Sequence, residues 1–163
     1  PYINIHGVSR WHSTSDNDNL DNISSKINVH EIDLLDFGGT LTLLSKIKPD
    51  VIFNLASNAN VKSSFTNTQS IVNNNIMSTL NLLESVKYLK INPIIQMCST
   101  SEVYGQVQLK DTPVTENCFF RPASPYAVSK VTQDLLGQTY HMNYGFGFGF
   151  HYGWSVAQLF ICH

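Results

Sequence analysis

Short apolar runs alternate along the chain with longer segments whose apolar residues recur at helical spacing. Tyr2 to Val8 reads as a strand, and the alternation from Lys26 to Ile32 reads as the next one. Leu41, Leu44 and Ile47 predict a helix over Thr40 to Lys48, which Pro49 ends. Val51 to Ala56 and Pro93 to Cys98 are mainly apolar, as strands covered on both faces of a parallel sheet are. Between them, Ile76, Leu80, Leu83 and Val86 mark one face of a long helix from Thr68 to Lys90, although Asn73-Asn74-Asn75 is weak for helix propensity. A last helix opens at Tyr126. Its largely apolar stripe is Ala127, Val131, Leu135 and Gln138, with Tyr126, Lys130 and Asp134 on an adjacent face. Strands alternating with helices predict an α/β fold built on a doubly wound parallel sheet. The polar stretches Trp11 to Ser25 and Gln106 to Ala123 read as loops.

Composition narrows this reading only modestly. The chain has 163 residues, enough for one domain with a real core, with 42% apolar and 13% charged residues and a net charge of −2. It has no basic run interleaved with aromatic residues, which argues against nucleic acid as a partner. It has no apolar stretch long enough to span a membrane. Cys98, Cys118 and Cys162 are odd in number and lack a Cys-x-x-Cys spacing, so reduced thiols and a cytoplasmic setting are expected. The six histidines form no ligand-like cluster, and no metal site is expected.

The candidate chemistry lies between Ser99 and Lys130. The apolar run ending at Cys98 delivers Ser99-Thr100-Ser101-Glu102, hydroxyls and a carboxylate, to the carboxyl end of a strand. Tyr126 and Lys130 follow, four residues apart and so on one helix face. A free Tyr, with a pKa of about 10, is a poor base at neutral pH. A neighbouring cation favours its phenolate, and a Tyr tuned in this way can exchange a proton while a hydride moves. A chance Tyr-x-x-x-Lys is common, so the weight rests on the combination: strand, hydroxyl-rich end, Glu102, then Tyr and Lys opening a helix.

These residues, together with His6 to Arg10, Asp33 to Asp36, Lys48-Pro49-Asp50, Asn54-Leu55-Ala56, Val61 to Phe65 and Thr79 to Glu84, resemble an extended short-chain dehydrogenase/reductase of the nucleotide-sugar epimerase/dehydratase group. The likeness spans about residues 2 to 145 and lies nearest the GDP-mannose 4,6-dehydratase branch. It implies a Rossmann-like sheet and a nicotinamide cofactor. It implies catalytic roles for Thr100, Glu102, Tyr126 and Lys130, and substrate contacts at Ser64 and Ser101. The cofactor would lie against Asp33, Leu34, Leu55, Ala56, Ser57, Tyr126 and Lys130. Asp33 read by itself is equally a turn former. Arg10 ends the first strand with no acid before Asp16, and an Arg suits a 2′-phosphate, so NADP is expected over NAD. The implied reaction is conversion of GDP-mannose to GDP-4-dehydro-6-deoxymannose. The implied partners are a nucleotide-sugar substrate and, in the longer enzyme, a second copy of the chain.

At both ends the resemblance breaks off. No Gly-x-x-Gly-x-x-Gly or Gly-x-Gly-x-x-Gly turn is present to receive a pyrophosphate, and residues 146–163 do not follow the family's substrate region. The expected organisation is therefore a partial cofactor-binding domain over residues 1–145 and an atypical tail over 146–163, a piece of a longer enzyme. A sheet without its central strand would present two unpaired edges. Two other functions stay open: a nucleotide-sugar epimerase or 4-keto-sugar reductase, and a truncated remnant without catalysis.

Overall fold

The computed structural model describes residues 3–10, 23–151 and 159–162. Its six strands are β1 (Ile5–Ser9), β2 (Ile27–Glu31), β3 (Val51–Asn54), β4 (Ile94–Cys98), β5 (Gly147–His151) and β6 (Leu159–Cys162). The helices are α1 (Phe37–Ile47), α2 (Val61–Thr66), α3 (Thr68–Leu89) and α4 (Pro125–Tyr144). The strands form one sheet in the order β2-β1-β6-β3-β4-β5.

β1 pairs parallel with β2, and β3, β4 and β5 pair parallel in succession. β6 is antiparallel to both of its neighbours, setting Ile161 opposite His6 on one side and Ile52 on the other. In the doubly wound order 3-2-1-4-5-6, strand 1 is central and parallel. Here β6 occupies that position with reversed polarity, so the two edges expected at the break are paired. The tract from Gly147, expected to belong to an atypical tail, begins as a regular strand beside β4.

The core lies between the sheet and the α1 and α3 helices, with Leu44, Ile52, Leu82, Leu83, Val86 and Ile95 almost wholly buried. α1 ends as Pro49 requires: Lys48 takes the left-handed conformation and its N–H closes onto the Leu44 carbonyl. α3 runs straight through Asn73 to Asn75. Tertiary bonds override weak propensity there, because Asn75 is fully buried and clamps both polar groups of the Asn58 backbone. The buried residues of α3 are Ile71, Asn75, Ser78, Thr79, Leu82, Leu83, Ser85 and Val86, while Ile76 and Leu80 are only half-buried.

On α4 the expected stripe needs correction. Leu135 is 49% exposed and Val131 and Gln138 are half-buried, whereas Tyr126, Ser129, Lys130, Gln133 and Asp134 are buried. The polar face turns inward because the ends of β4 and α3 offer it matched partners. α2 is a short helix that the apolar pattern did not predict; Asn60 caps it by accepting a hydrogen bond from the Ser63 N–H. Among the described residues no helix is long and apolar enough to cross a membrane.

Candidate active site

β4 ends at Cys98, and the chain passes through Ser99 and Thr100 into a single 3-10 turn over Ser101–Tyr104. Thr100 caps this turn, its hydroxyl accepting from the Glu102 N–H at 3.3 Å. Gly105 closes it at a φ of +62°, where a Cβ would stand 1.9 Å from the Arg121 carbonyl oxygen. Only glycine fits that crossing, and it lets Arg121 donate its N–H to the Val103 carbonyl at 2.8 Å. The long loop is thus folded back onto the turn. A cavity of about 320 Å³ opens there, lined by residues that include Ser101, Glu102, Tyr104, Thr115 and Glu116. Burial and the neighbouring Glu116 both push the Tyr104 phenol upward from its ordinary pKa.

α4 begins at Ser124, whose hydroxyl accepts from the Ala127 N–H at 3.1 Å, with Pro125 as its first residue. This start turns Tyr126 and Lys130 inward, each 2% exposed. The Lys130 ammonium donates to the Cys98 carbonyl at 2.8 Å. Burial draws its pKa down to about 8, against the opposing pull of Cys98 and Asp134. One turn further along α4, Asp134 accepts from the Ser99 hydroxyl at 2.6 Å. Burial raises that carboxyl to about 6, although Ser99 and Lys130 both act to lower it.

The structure places Thr100, Ser101 and Glu102 at the carboxyl end of β4 and bonds Lys130 to that end, with Tyr126 one turn earlier on α4; Ser101 and Glu102 line the cavity, and Thr100, Tyr126 and Lys130 are not among its lining residues. Ser101 and Glu102 are exposed while Thr100, Tyr126 and Lys130 are buried. Leu55, Ala56 and Ser57 leave the end of β3 half-buried, and the buried Ser57 hydroxyl has no hydrogen-bond partner among the described residues. Asp33 accepts from the Leu35 N–H at 2.9 Å, the turn-forming role its sequence position allowed. Leu34 is buried, and its carbonyl accepts from the Asn81 side chain. Arg10 is exposed and reaches Asn74 through a long 3.5 Å bond. Ser64 does not join the group. It is fully buried in α2, and its hydroxyl is spent on the Val61 carbonyl at 2.6 Å.

Sequence reasoning assigned no role to Ser99, Asp134 or Asn75. The repeat of Tyr126, Lys130 and Asp134 at steps of four was the available signal for Asp134. Nothing local marks Asn75, which joins the Asn58 backbone to the Ser129 hydroxyl across three elements.

A Rossmann-like sheet, parallel except for β6, with this strand-end turn and this helix is the core of an extended short-chain dehydrogenase/reductase. The family model described as GDP-mannose 4,6 dehydratase matches residues 2–149, and the chain belongs to that family. A GDP-mannose 4,6-dehydratase of Vibrio cholerae is 32% identical over 150 residues, covering 86% of this chain and 40% of the relative. Among solved structures, RMD from Pseudomonas aeruginosa complexed with NADPH matches with a TM-score of 0.70 and 27% identity, over 76% of this chain and 44% of that one. The UDP-Glc/GlcNAc 4-epimerase from Campylobacter jejuni matches with a TM-score of 0.77 and 27% identity, over 88% of this chain and 43% of that one. The chain spans less than half the length of these relatives.

Proposed function

We propose that this chain is the core of a nucleotide-sugar 4,6-dehydratase that uses NADP and converts GDP-mannose to GDP-4-dehydro-6-deoxymannose. The observation that carries the reading is the placement of Glu102. It is an exposed carboxylate in a cavity at the end of β4, two residues beyond Thr100, on the strand end to which Lys130 is bonded. An oxidation or an inversion at C4 needs no such base; loss of water between C5 and C6 does. The family match and the Vibrio cholerae relative support the GDP-mannose substrate.

Part of the site suits a nicotinamide dinucleotide. At the end of β3 the small residues Ala56 and Ser57, the latter with an unpartnered hydroxyl among the described residues, stand half-buried beside Leu55 and would allow close approach of a flat ring. Asp33 and Leu34 follow β2, and the exposed Arg10 follows β1, the strand paired with it; a guanidinium there suits a 2′-phosphate, which supports NADP. A nicotinamide held there would supply the hydride chemistry that links C4 and C6 of the sugar.

The protein's own residues move the protons. Tyr126 takes the proton of the 4-hydroxyl, and the Lys130 charge one turn away favours the phenolate that does so. Thr100 holds the 4-oxygen. The C4 ketone acidifies C5, and Glu102 removes that proton and passes it to the C6 hydroxyl, which leaves as water with Ser101 beside it. After C6 is reduced, the exposed Glu102 takes a proton from solvent and delivers it to C5, while Tyr126 releases the 4-hydroxyl proton to solvent. The redox cycle is closed and consumes no cofactor. A homo-oligomer and a cytoplasmic setting accompany this reading.

The test is Glu102→Gln, assayed with NADP and GDP-mannose. Oxidation at C4, read as transient NADPH absorbance, is expected to persist, while water loss falls by roughly 10²–10⁴. Unchanged dehydration would remove Glu102 from its role. The likeness to a 4-epimerase favours a second reading, in which the product is a C4 isomer of unchanged mass.

A further inference from the structure

We propose that Asp134 is a positioning residue that docks the Tyr126–Lys130 face of α4 onto the last peptide of β4 and sets the charge state of Lys130. The inference rests on the roles given to Tyr126 and Lys130 above, and it adds a residue to which none of those steps assigns work.

The geometry is a two-point dock. Lys130 donates to the Cys98 carbonyl at 2.8 Å, and Ser99, the next residue, donates its hydroxyl to Asp134 at 2.6 Å. Two adjacent residues of one strand end thus hold two side chains one turn apart on one helix face. Tyr126 lies one further turn toward the helix start on the same face. Any slip of α4 along β4 would break both bonds together, so the dock fixes the height at which the phenol stands.

The dock is also electrically unfinished. Asp134 is 1% exposed, and its Oδ1 has no hydrogen-bond partner among the described residues. Lys130 is 2% exposed and binds a neutral carbonyl, with no carboxylate within salt-bridge distance in the described structure. A buried cation and a buried anion one turn apart each favour the other's charged form, and little water screens them, although burial is the larger influence on both. Both also titrate nearer neutrality than such groups ordinarily do.

Among the described residues, the other titratable groups near the pair include Tyr126 on α4 itself, Cys98 from β4 and Tyr104 from the 3-10 turn, the last two acting through space. α3 brings the uncharged Asn75 and Thr79 against Ser129 and Gln133, and its charged pair Glu84–Lys87 meets α4 further along, at Tyr140. Asp134 is therefore the carboxylate among these groups that faces Lys130.

The test follows the Lys130 13Cε resonance against pH in the intact chain, free of cofactor and substrate. In the wild-type chain it should show a main step near pH 8 and a smaller inflection near pH 6, where Asp134 titrates. In Asp134→Asn the inflection should vanish, and the main step should fall by roughly one pH unit, since removing an anion disfavours the ammonium. A purely structural role would leave the main step in place. If Asp134→Asn does not fold, the wild-type inflection decides alone: a Lys130 curve with one step and no response near pH 6 overturns the proposal. Because neither readout involves turnover, the dehydratase reading could fail with these titrations intact, and the titrations could fail without touching it.

Discussion

The two ends of the α3–α4 interface are built on opposite terms. Toward the carboxyl ends of the strands, the contact is polar and buried: Asn75 donates to Ser129, and Gln133 donates to the Asn75 carbonyl and to Thr79. Away from that end it is apolar and aromatic, with Leu82, Leu83 and Val86 on α3 and Tyr140 packed near Tyr144 and Phe146 on the other side. Its charged groups, Glu84 and Lys87, sit half-buried at the rim. Burial acts to raise Glu84, but hydrogen bonds from Lys87 and Tyr140 outweigh it and hold the carboxyl below its ordinary pKa. The apolar end supplies most of its stability by burying Leu82, Leu83 and Val86, with the unbonded hydroxyl of the buried Ser85 as its one polar cost among the described residues of α3. The polar end spends desolvation to hold hydroxyls, an amine and a carboxyl at one strand terminus, which is reasonable only if those groups have work to do.

The sharpest way to break the contrast is Leu83→Ala. Leu83 is wholly buried, and its truncation should cost about 2–5 kcal/mol in urea denaturation. The Lys130 titration of the folded protein should not move. If that titration shifts with core packing, the two ends are not separable.

A smaller effect distinguishes the ends by pH. Asp134 has a folded pKa near 6, above its ordinary 3.8, so its contribution to stability is fully present below about 3.8 and is lost as pH rises through about 6. Lys130 has a folded pKa near 8, below its ordinary 10.5, so its penalty is fully present below about 8 and is relieved as pH rises toward 10.5. Together they predict a stability trough between about pH 6 and 8. The acid-side fall should be on the order of 3 kcal/mol and should be missing in Asp134→Asn. Denaturation midpoints across pH 4 to 10.5 would read it, and identical profiles for the two proteins would remove the polar end's cost.

The apolar end was the more legible in sequence. The strand runs at Val51 and Ile94 and the helix over Thr68–Leu89 were legible from spacing, but their burial was not: Phe53 and Ile94 are exposed, against the expectation of strands covered on both faces, and α3 buries Asn75, Ser78 and Thr79 more completely than Ile76 and Leu80. The residues Ser99 to Gly105 and the pair Tyr126 and Lys130 were also legible, as a motif in context. The buried face of α4 was not. A search for apolar stripes looks away from Lys130 and Asp134, whose inward turn depends on partners some thirty residues distant on β4. The same holds for Asn75, read as a weak helix residue and found as a buried clamp. The position of β6 was equally out of reach, since no local pattern tells a four-residue strand to enter the centre of a sheet in reverse.

The central claim is that the carboxylate at this strand end removes a proton from C5. The direct test is incubation of the protein with GDP-mannose and NADP in deuterated water, with the sugar nucleotide analysed by mass spectrometry and NMR. The account predicts a product that has lost one water, carries one solvent deuterium at C5 and leaves no net NADPH. A product of unchanged mass, inverted at C4 and free of solvent deuterium, would contradict it.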